Sequence, residues 1–356
     1  MQKVHNFSAG PSILPQEVLD QAAQAIHNFD NMGLSLIEIS HRSKNYVKVM
    51  DEARQLVKDI LGLPENYEVL FLQGGATLGF YTSAINMMKE GGKAAYINTG
   101  VWANGAIKEA KLLGEVNVIG DSSDKNHSYI PEFTVPSDVD YLHFTSNNTI
   151  YGTQFQNFPK TEVPLVCDMS SDIFSKKFNA TDFSMIYAGA QKNMGPAGTV
   201  LYIVDKESLG KTGRKLPSYM NLLNHIDKDS MANTPPVFAV YVSMLTLRWI
   251  KANGGLEGME KRNFAKQELF YNELDRNGLF KGHAVPEARS WMNATFMLNN
   301  EALAESFDKM WKEAGISGLA GHRSVGGYRA SMYNALPIES VQVLVDVMKE
   351  FERVNG

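Results

Sequence analysis

Between residues 67 and 205, short apolar runs rich in β-branched and aromatic residues alternate with stretches of helical spacing, and no other feature constrains the fold as strongly. Strands separated by helices pair in parallel, so the alternation predicts a doubly wound α/β domain on a mostly parallel sheet. The predicted strands are Val69 to Leu72, Ala94 to Asn98, Val116 to Ile119, Tyr141 to Thr145, Leu165 to Cys167, Ser184 to Ala188 and Thr199 to Val204. Upstream, Val47, Met50, Ala53, Val57, Ile60 and Leu61 recur at helical spacing until Gly62 and Pro64 stop the pattern. That spacing predicts a helix with one buried face.

At 356 residues and 44% hydrophobic content, the chain can bury more than one core. The pair Gly254-Gly255 breaks a helix expected from Val237 to Ala252, and beyond it strands alternate less regularly. We therefore expect a large domain over residues 1–255, with residues 1–14 as an N-terminal arm, and a smaller C-terminal α/β domain over 256–356. Following Pro337, Val341, Leu344, Val345, Met348 and Phe351 line one stripe of a final helix.

The formal net charge of −5 excludes a general attraction to nucleic acid or to an anionic membrane surface. An anionic substrate must then be met by locally placed cations. The opening MQKVHNFSAGPSILP lacks the features of a signal peptide, and no run reaches eighteen apolar residues, so a soluble, cytoplasmic protein is expected. The single cysteine, Cys167, can form neither an intrachain disulfide nor a thiolate metal site by itself, and no metal is expected.

Chemistry concentrates in VCDMSSD, residues 166–172, and YAGAQKNMGPAG, residues 187–198, each of which follows an apolar strand. In an open parallel sheet, residues beyond the carboxyl ends of strands converge on one crevice, so Asp168 and Lys192 can meet. An acid and a lysine together suit pyridoxal phosphate, whose aldehyde forms a Schiff base with a lysine and whose pyridine nitrogen is kept protonated by a carboxylate. Either residue alone would more often be a solvated side chain or a turn residue. In LQGGATLGF, two glycines end a strand where a helix can begin, so Ala76 and Thr77 can present N–H groups and a hydroxyl to a phosphate.

These segments resemble the phosphoserine aminotransferases, of the class V family of pyridoxal-phosphate-dependent aminotransferases. The resemblance extends through NFSAGPS (6–12), ISHRS (39–43), LQGGAT (72–77), NTGVWA (98–103), SNNTIYG (146–152), NTPPVF (233–238) and GHRSVGGYRASMYNA (321–335). It implies fold type I of pyridoxal-phosphate enzymes, the aspartate-aminotransferase-like architecture. It further implies ping-pong amino transfer between L-glutamate and 3-phosphohydroxypyruvate in serine biosynthesis, and leaves open phosphohydroxythreonine of vitamin B6 synthesis as a second substrate.

By this resemblance Lys192 carries the cofactor and shuttles a proton, while Asp168 faces the pyridine nitrogen. Trp102 stacks on the ring, Thr149 and Gln191 lie near it, and Ala76 and Thr77 hold the phosphate, although some members carry arginine where Thr77 stands. Asn233 and Thr234 are implied to reach that phosphate from the partner subunit of a homodimer. Arg329 is assigned to the α-carboxylate, and the pairs His41-Arg42 and His322-Arg323 to the phosphate or distal carboxylate of the substrate. Alternatives are a serine–glyoxylate-type aminotransferase, a cysteine desulfurase, or a non-catalytic protein on the same scaffold. A desulfurase needs a cysteine on a mobile loop, whereas Cys167 ends an apolar strand and should face away from Asp168.

Overall fold

The computed structural model describes residues 4–356, so the first three residues of the expected arm lie outside the described residues. Seven strands form the main sheet: β1 (Tyr67–Leu72), β2 (Lys93–Asn98), β3 (Glu115–Asp121), β4 (Leu142–Thr145), β5 (Leu165–Asp168), β6 (Met185–Gly189) and β7 (Val200–Asp205). Their spatial order is β1-β7-β6-β5-β4-β2-β3. Every predicted strand is present, with bounds shifted by at most about two residues, the usual scatter of element ends.

Strand β7 runs antiparallel to both β1 and β6, while the remaining pairs are parallel. Only residues 190–199 separate β6 from β7, too few for a crossover helix, so the chain returns antiparallel. The periodicity of the apolar residues carries no sign of this reversal.

Helices cover both faces of the sheet. On one face, α1 (Gln16–His27), α2 (Lys44–Leu61) and a later helix, Val237–Ala252, pack over Val69, Phe71, Ile97, Phe144, Cys167 and Ile186. On the other, α3 (Gly75–Met87) and α4 (Val101–Ala110) pack over the alternate residues Leu70, Leu72, Tyr96, Val166 and Tyr187. Helix α2 begins where the Ser43 hydroxyl accepts from Tyr46 N–H and ends at Gly62, whose φ of 63° suits glycine. The helix over Val237–Ala252, α5, has the bounds expected from sequence.

A third apolar cluster gathers the end of α6 (Gly255–Arg276) with α7 (Ala304–Glu313), α8 (Ile338–Asn355) and an antiparallel sheet of β8 (Phe280–Gly282), β9 (Asn293–Leu298) and β10 (Tyr328–Ser331). Val341, Leu344, Val345, Met348 and Phe351 are all buried on α8. Phe7 belongs to this cluster as well, because His5–Asn6 pairs in parallel with Ile316–Ser317. Helix α6 bridges the clusters, with Met259 in the first and Phe270 and Leu274 in the third. No helix among the described residues is long and apolar enough to cross a membrane.

Leu344 is fully buried in the third cluster. Leu344→Ala is expected to cost about 2–5 kcal/mol through lost burial and the cavity left behind. Urea denaturation measures this; a loss below about 0.5 kcal/mol would show that α8 does not carry this core.

Candidate functional site

Segments beyond the carboxyl ends of the strands meet in one cavity of about 150 Å³. Asp168 is the last residue of β5, and Lys192 follows β6 by three positions. Gly74 and Gly75 follow β1, and Trp102 opens α4 after β2. Ala76, Thr77, Trp102, Asp168, Gln191 and Lys192, all expected from sequence, line the cavity together with Gly75, Phe80 and Ser170. A larger hollow of about 460 Å³ lies between α1, α2 and α5, but its Arg248 is already matched bidentately by Glu52.

Lys192 sits in an enclosed setting. Its Nζ donates to Thr149 Oγ1 at 2.7 Å and lies 5.7 Å from the centre of the Trp102 ring. Burial brings the amine's pKa down to about 8; Asp168 opposes that shift, and Arg329 adds to it. The N-terminal segment holds the backbone here, since Ser12 N–H donates to Gln191 O at 3.0 Å and the Ser12 hydroxyl donates to Lys192 O. Gly10, at φ 139°, approaches so closely that a Cβ would stand 3.2 Å from Lys192 Cγ.

Asp168 is held by its own turn. Ser170 donates to Asp168 Oδ1 from its backbone N at 2.9 Å and from its hydroxyl at 2.6 Å, while the same hydroxyl accepts from Gly189 N–H at 3.0 Å. Burial raises the carboxyl's pKa, and the Ser170 bond and the Lys192 charge oppose that rise. Nearby, burial pushes Asp172 up to about 6 although Ser146 and Gln154 donate to it.

The start of α3 is suited to an anion. Gly74 provides no capping side chain, and the first bond closing the helix runs from Leu78 N–H to Gly74 O at 3.2 Å. The N–H groups of Gly75, Ala76 and Thr77 therefore remain as donors at the positive end of the helix, beside the cavity. Gly74 adopts φ 96°, and a Cβ there would stand 2.4 Å from Leu78 Cδ2.

Arg329, on β10, donates from Nη1 to Thr149 O at 3.2 Å, while its buried Nε has no partner. His322 lies within the field of Arg329 and Arg323, whose charges add to burial in lowering its pKa. The structure thus brings Arg329 to Thr149, and neither they nor His322 and Arg323 are among the residues that line the cavity itself. His41-Arg42 does not line the cavity; His41 Nε2 is buried without a partner and Arg42 is exposed. Asn233 and Thr234 also lie outside the lining, where Asn233 Nδ2 donates to Gln73 Oε1 at 2.8 Å and Gln73 Nε2 donates to Thr234 O at 3.2 Å.

Sequence reasoning missed Ser170 and Phe80. A serine two positions after an aspartate is a turn signal that could have identified Ser170. Cys167 is buried on the face opposite this cavity, and burial pushes its thiol pKa far up, which removes the desulfurase reading.

The family model described as "Aminotransferase class-V" matches residues 4–344. The phosphoserine aminotransferase of Flavobacterium johnsoniae is 62% identical over 98% of this chain and 99% of its own length. A solved phosphoserine aminotransferase from Bacillus circulans subsp. alkalophilus superposes with TM-score 0.96 at 42% identity, covering 100% of both chains. A second, PLP-bound phosphoserine aminotransferase from Trichomonas vaginalis gives TM-score 0.92 at 35% identity over 98% of this chain and 100% of its own.

Only the neutral amine attacks an aldehyde, so the rate at which cofactor-free protein captures pyridoxal phosphate should rise with pH and level off above a midpoint near 8. Asp168→Asn removes the charge that raises this pKa and should move the midpoint lower. Stopped-flow absorbance across pH measures both. A wild-type midpoint near that of a solvated lysine would refute the buried-amine account.

Proposed function

The chain belongs to the class-V aminotransferase family, and from that premise we propose that it transfers the amino group of L-glutamate to 3-phosphohydroxypyruvate, yielding O-phospho-L-serine and 2-oxoglutarate in serine biosynthesis. It is a pyridoxal-phosphate-dependent enzyme of fold type I. When bound, the cofactor supplies an electron sink for the charge that develops at the substrate α-carbon. The residues present fit it: an enclosed lysine amine, a buried carboxylate and a helix start with free N–H donors share one cavity. That convergence, with the unpartnered Nε of Arg329 next to it, is the observation that carries the proposal.

In this reading Lys192 Nζ would hold the cofactor and act as the base and acid that moves the proton at the substrate α-carbon. With the cofactor bound, Asp168 would keep its pyridine nitrogen protonated and Trp102 would restrain its ring. Thr149 and Gln191 would lie near the ring, and Ala76 and Thr77 would hold the phosphate from the start of α3. Arg329 receives the α-carboxylate, while His41-Arg42 and His322-Arg323 receive the substrate phosphate or the distal carboxylate of glutamate.

The reading includes a symmetric homodimer in which each subunit completes its partner's site. Two observations support it. Neither His41-Arg42 nor Asn233-Thr234 lines the cavity of its own chain, and Met32, Leu34 and Ile37, just before His41, are 41%, 45% and 61% exposed. We take residues 1–255 and 256–356 as the two domains, a division supported by the separate apolar clusters, and place the enzyme in the cytoplasm.

Specificity tests the assignment. A hydrogen bond to a charged group is worth roughly 1.5–3 kcal/mol, so Arg42→Ala and Arg323→Ala should each lower kcat/KM for phosphoserine by about ten- to a hundredfold or more. Unphosphorylated serine should be affected far less. Arg329→Ala should penalise both through the α-carboxylate. An unchanged preference for phosphoserine in the Arg42 and Arg323 variants would defeat the assignment.

Dimer dissociation should weaken cofactor binding in step with it. Sedimentation across protein concentration, with cofactor absorbance as a second channel, checks this. A cofactor-saturated, fully active monomer would contradict the shared site.

A further inference from the structure

Neither residues 173–175 nor residues 332–334 belong to a strand or helix, so their carbonyls must find donors elsewhere. The turn that begins at Asp168 runs on through Ile173, whose N–H donates to Met169 O at 2.9 Å, to Phe174, which holds φ 59° although it is not glycine. Its three last carbonyls are each met by an asparagine. Asn193 Nδ2 donates to Ile173 O at 2.8 Å, Asn334 Nδ2 to Phe174 O at 3.0 Å and Asn263 Nδ2 to Ser175 O at 2.8 Å. All three side chains are buried, and each leaves from a different part of the fold. Asn193 follows Lys192, Asn334 lies three positions beyond β10, which carries Arg329, and Asn263 is on α6.

The asparagines are also joined to one another. Asn334 N–H donates to Asn193 Oδ1 at 2.9 Å, and Asn263 Nδ2 donates to Asn334 Oδ1 at 2.7 Å. Their orientation follows from their partners: a backbone carbonyl only accepts and a backbone N–H only donates, so turning any of the three amides over would set like against like.

Helix α6 holds the other stretch. Lys266 Nζ donates to Met332 O at 2.8 Å and to Tyr333 O at 2.6 Å, and Arg262 Nε donates to Asn334 O at 2.8 Å. Residues 332–334 are thus fixed to α6, and Asn334 in turn fixes the Lys192 loop and the Asp168 turn. Stability alone does not account for the choice of residue, since Asn263 Oδ1 is left buried without a partner, a cost that an apolar side chain of similar shape would avoid.

We propose that Asn193, Asn334 and Asn263 are positioning residues, a clasp of side-chain amides that sets the Lys192 loop, the turn after Asp168 and the segment that continues the strand of Arg329 in one register. The amine and the acid must meet the same cofactor from separate loops, and the clasp is what fixes one loop against the other. Arg329 is held in place relative to the amine by the same bonds, through Asn334. The inference rests on the roles given above to Lys192, Asp168 and Arg329.

The experiment follows pyridoxal phosphate capture by cofactor-free protein in stopped flow, at a pH above the midpoint near 8, and separates the rate constant from the amplitude. Asn334 does not line the cavity. Asn334→Ala should nevertheless slow the rate constant by about ten- to a hundredfold, as a misplacement of about 1 Å does, while the amplitude per folded chain stays that of wild type. Asn193→Ala should slow it similarly, and the double variant should be no slower than the slower single one, because both act in one network. In the loaded enzyme, Asn334→Ala should lower kcat for phosphoserine by about tenfold or more with KM within about twofold, whereas Arg329→Ala should raise KM. A loss of amplitude or of stability with the rate constant and kcat unchanged would reduce the asparagines to filling and overturn the proposal. Should Asn334→Ala fail to fold, Asn263→Ala removes only the outer amide and should slow capture by a smaller factor, about three- to tenfold. A wild-type rate constant there would overturn the proposal equally. Borohydride fixation and peptide mapping keep the two readings apart: cofactor fixed on another lysine refutes the role of Lys192, whereas undiminished capture at Lys192 in the variants refutes the clasp.

Discussion

Enclosing the Lys192 amine beside a carboxylate that must also stay buried is the constraint on which the rest of the structure depends. Both groups are withdrawn from bulk solvent, and each is pushed towards its neutral form, the amine down and Asp168 up. Neither is left to collapse into a direct ion pair. Ser170 occupies one oxygen of the acid, and Thr149 occupies the amine. The charges remain close enough to feel each other and free enough to engage a cofactor between them.

The sheet makes that arrangement repeatable, because every group in the cavity leaves from the carboxyl end of a strand whose own residues are buried on both faces. Side chains alternate across it, so Cys167 enters the apolar layer while Asp168 turns to the cavity. Elements of the third apolar cluster then meet the site through hydrogen bonds: Arg329 reaches Thr149 O, and Asn334 reaches Asn193. A polar seam of this kind aligns in one geometry, since each donor must meet an acceptor at hydrogen-bond distance and angle.

Much of this was legible in the sequence, for identifiable reasons. Strands and helices with one buried face carry a periodic signal, so the seven strands of the main sheet and α2, α5 and α8 could be located, and strand ends indicated where Asp168 and Lys192 would meet. Long-range polar partners carry no periodic signal. Nothing near Tyr333 points to Ala9 or Asn293, and nothing near Lys266 distinguishes it from a solvated lysine. The reversal at β7 depends on connection length rather than residue type. Phe7 reads as part of a leading arm of the large domain, whereas in the structure it fills the C-terminal core because residues 5 and 6 pair with residues 316 and 317.

That pairing bears on the order in which the molecule can be made. Residues 5–12 leave the ribosome before residues 316–333, yet His5 and Asn6 need Ile316 and Ser317, Phe7 O needs Ser331 N–H, and Ala9 O needs the Tyr333 phenol. The segment that braces Lys192 through Gly10 and Ser12 therefore stays without its anchor during most of synthesis, and settles only when the last tenth or so of the chain arrives. The main sheet can form early, but the segment around Lys192 is finished late. Closing a loop of that length slows the final step of folding more than it weakens the finished protein. An incomplete chain is thereby kept from assembling a fully braced lysine before the surfaces that govern its chemistry exist.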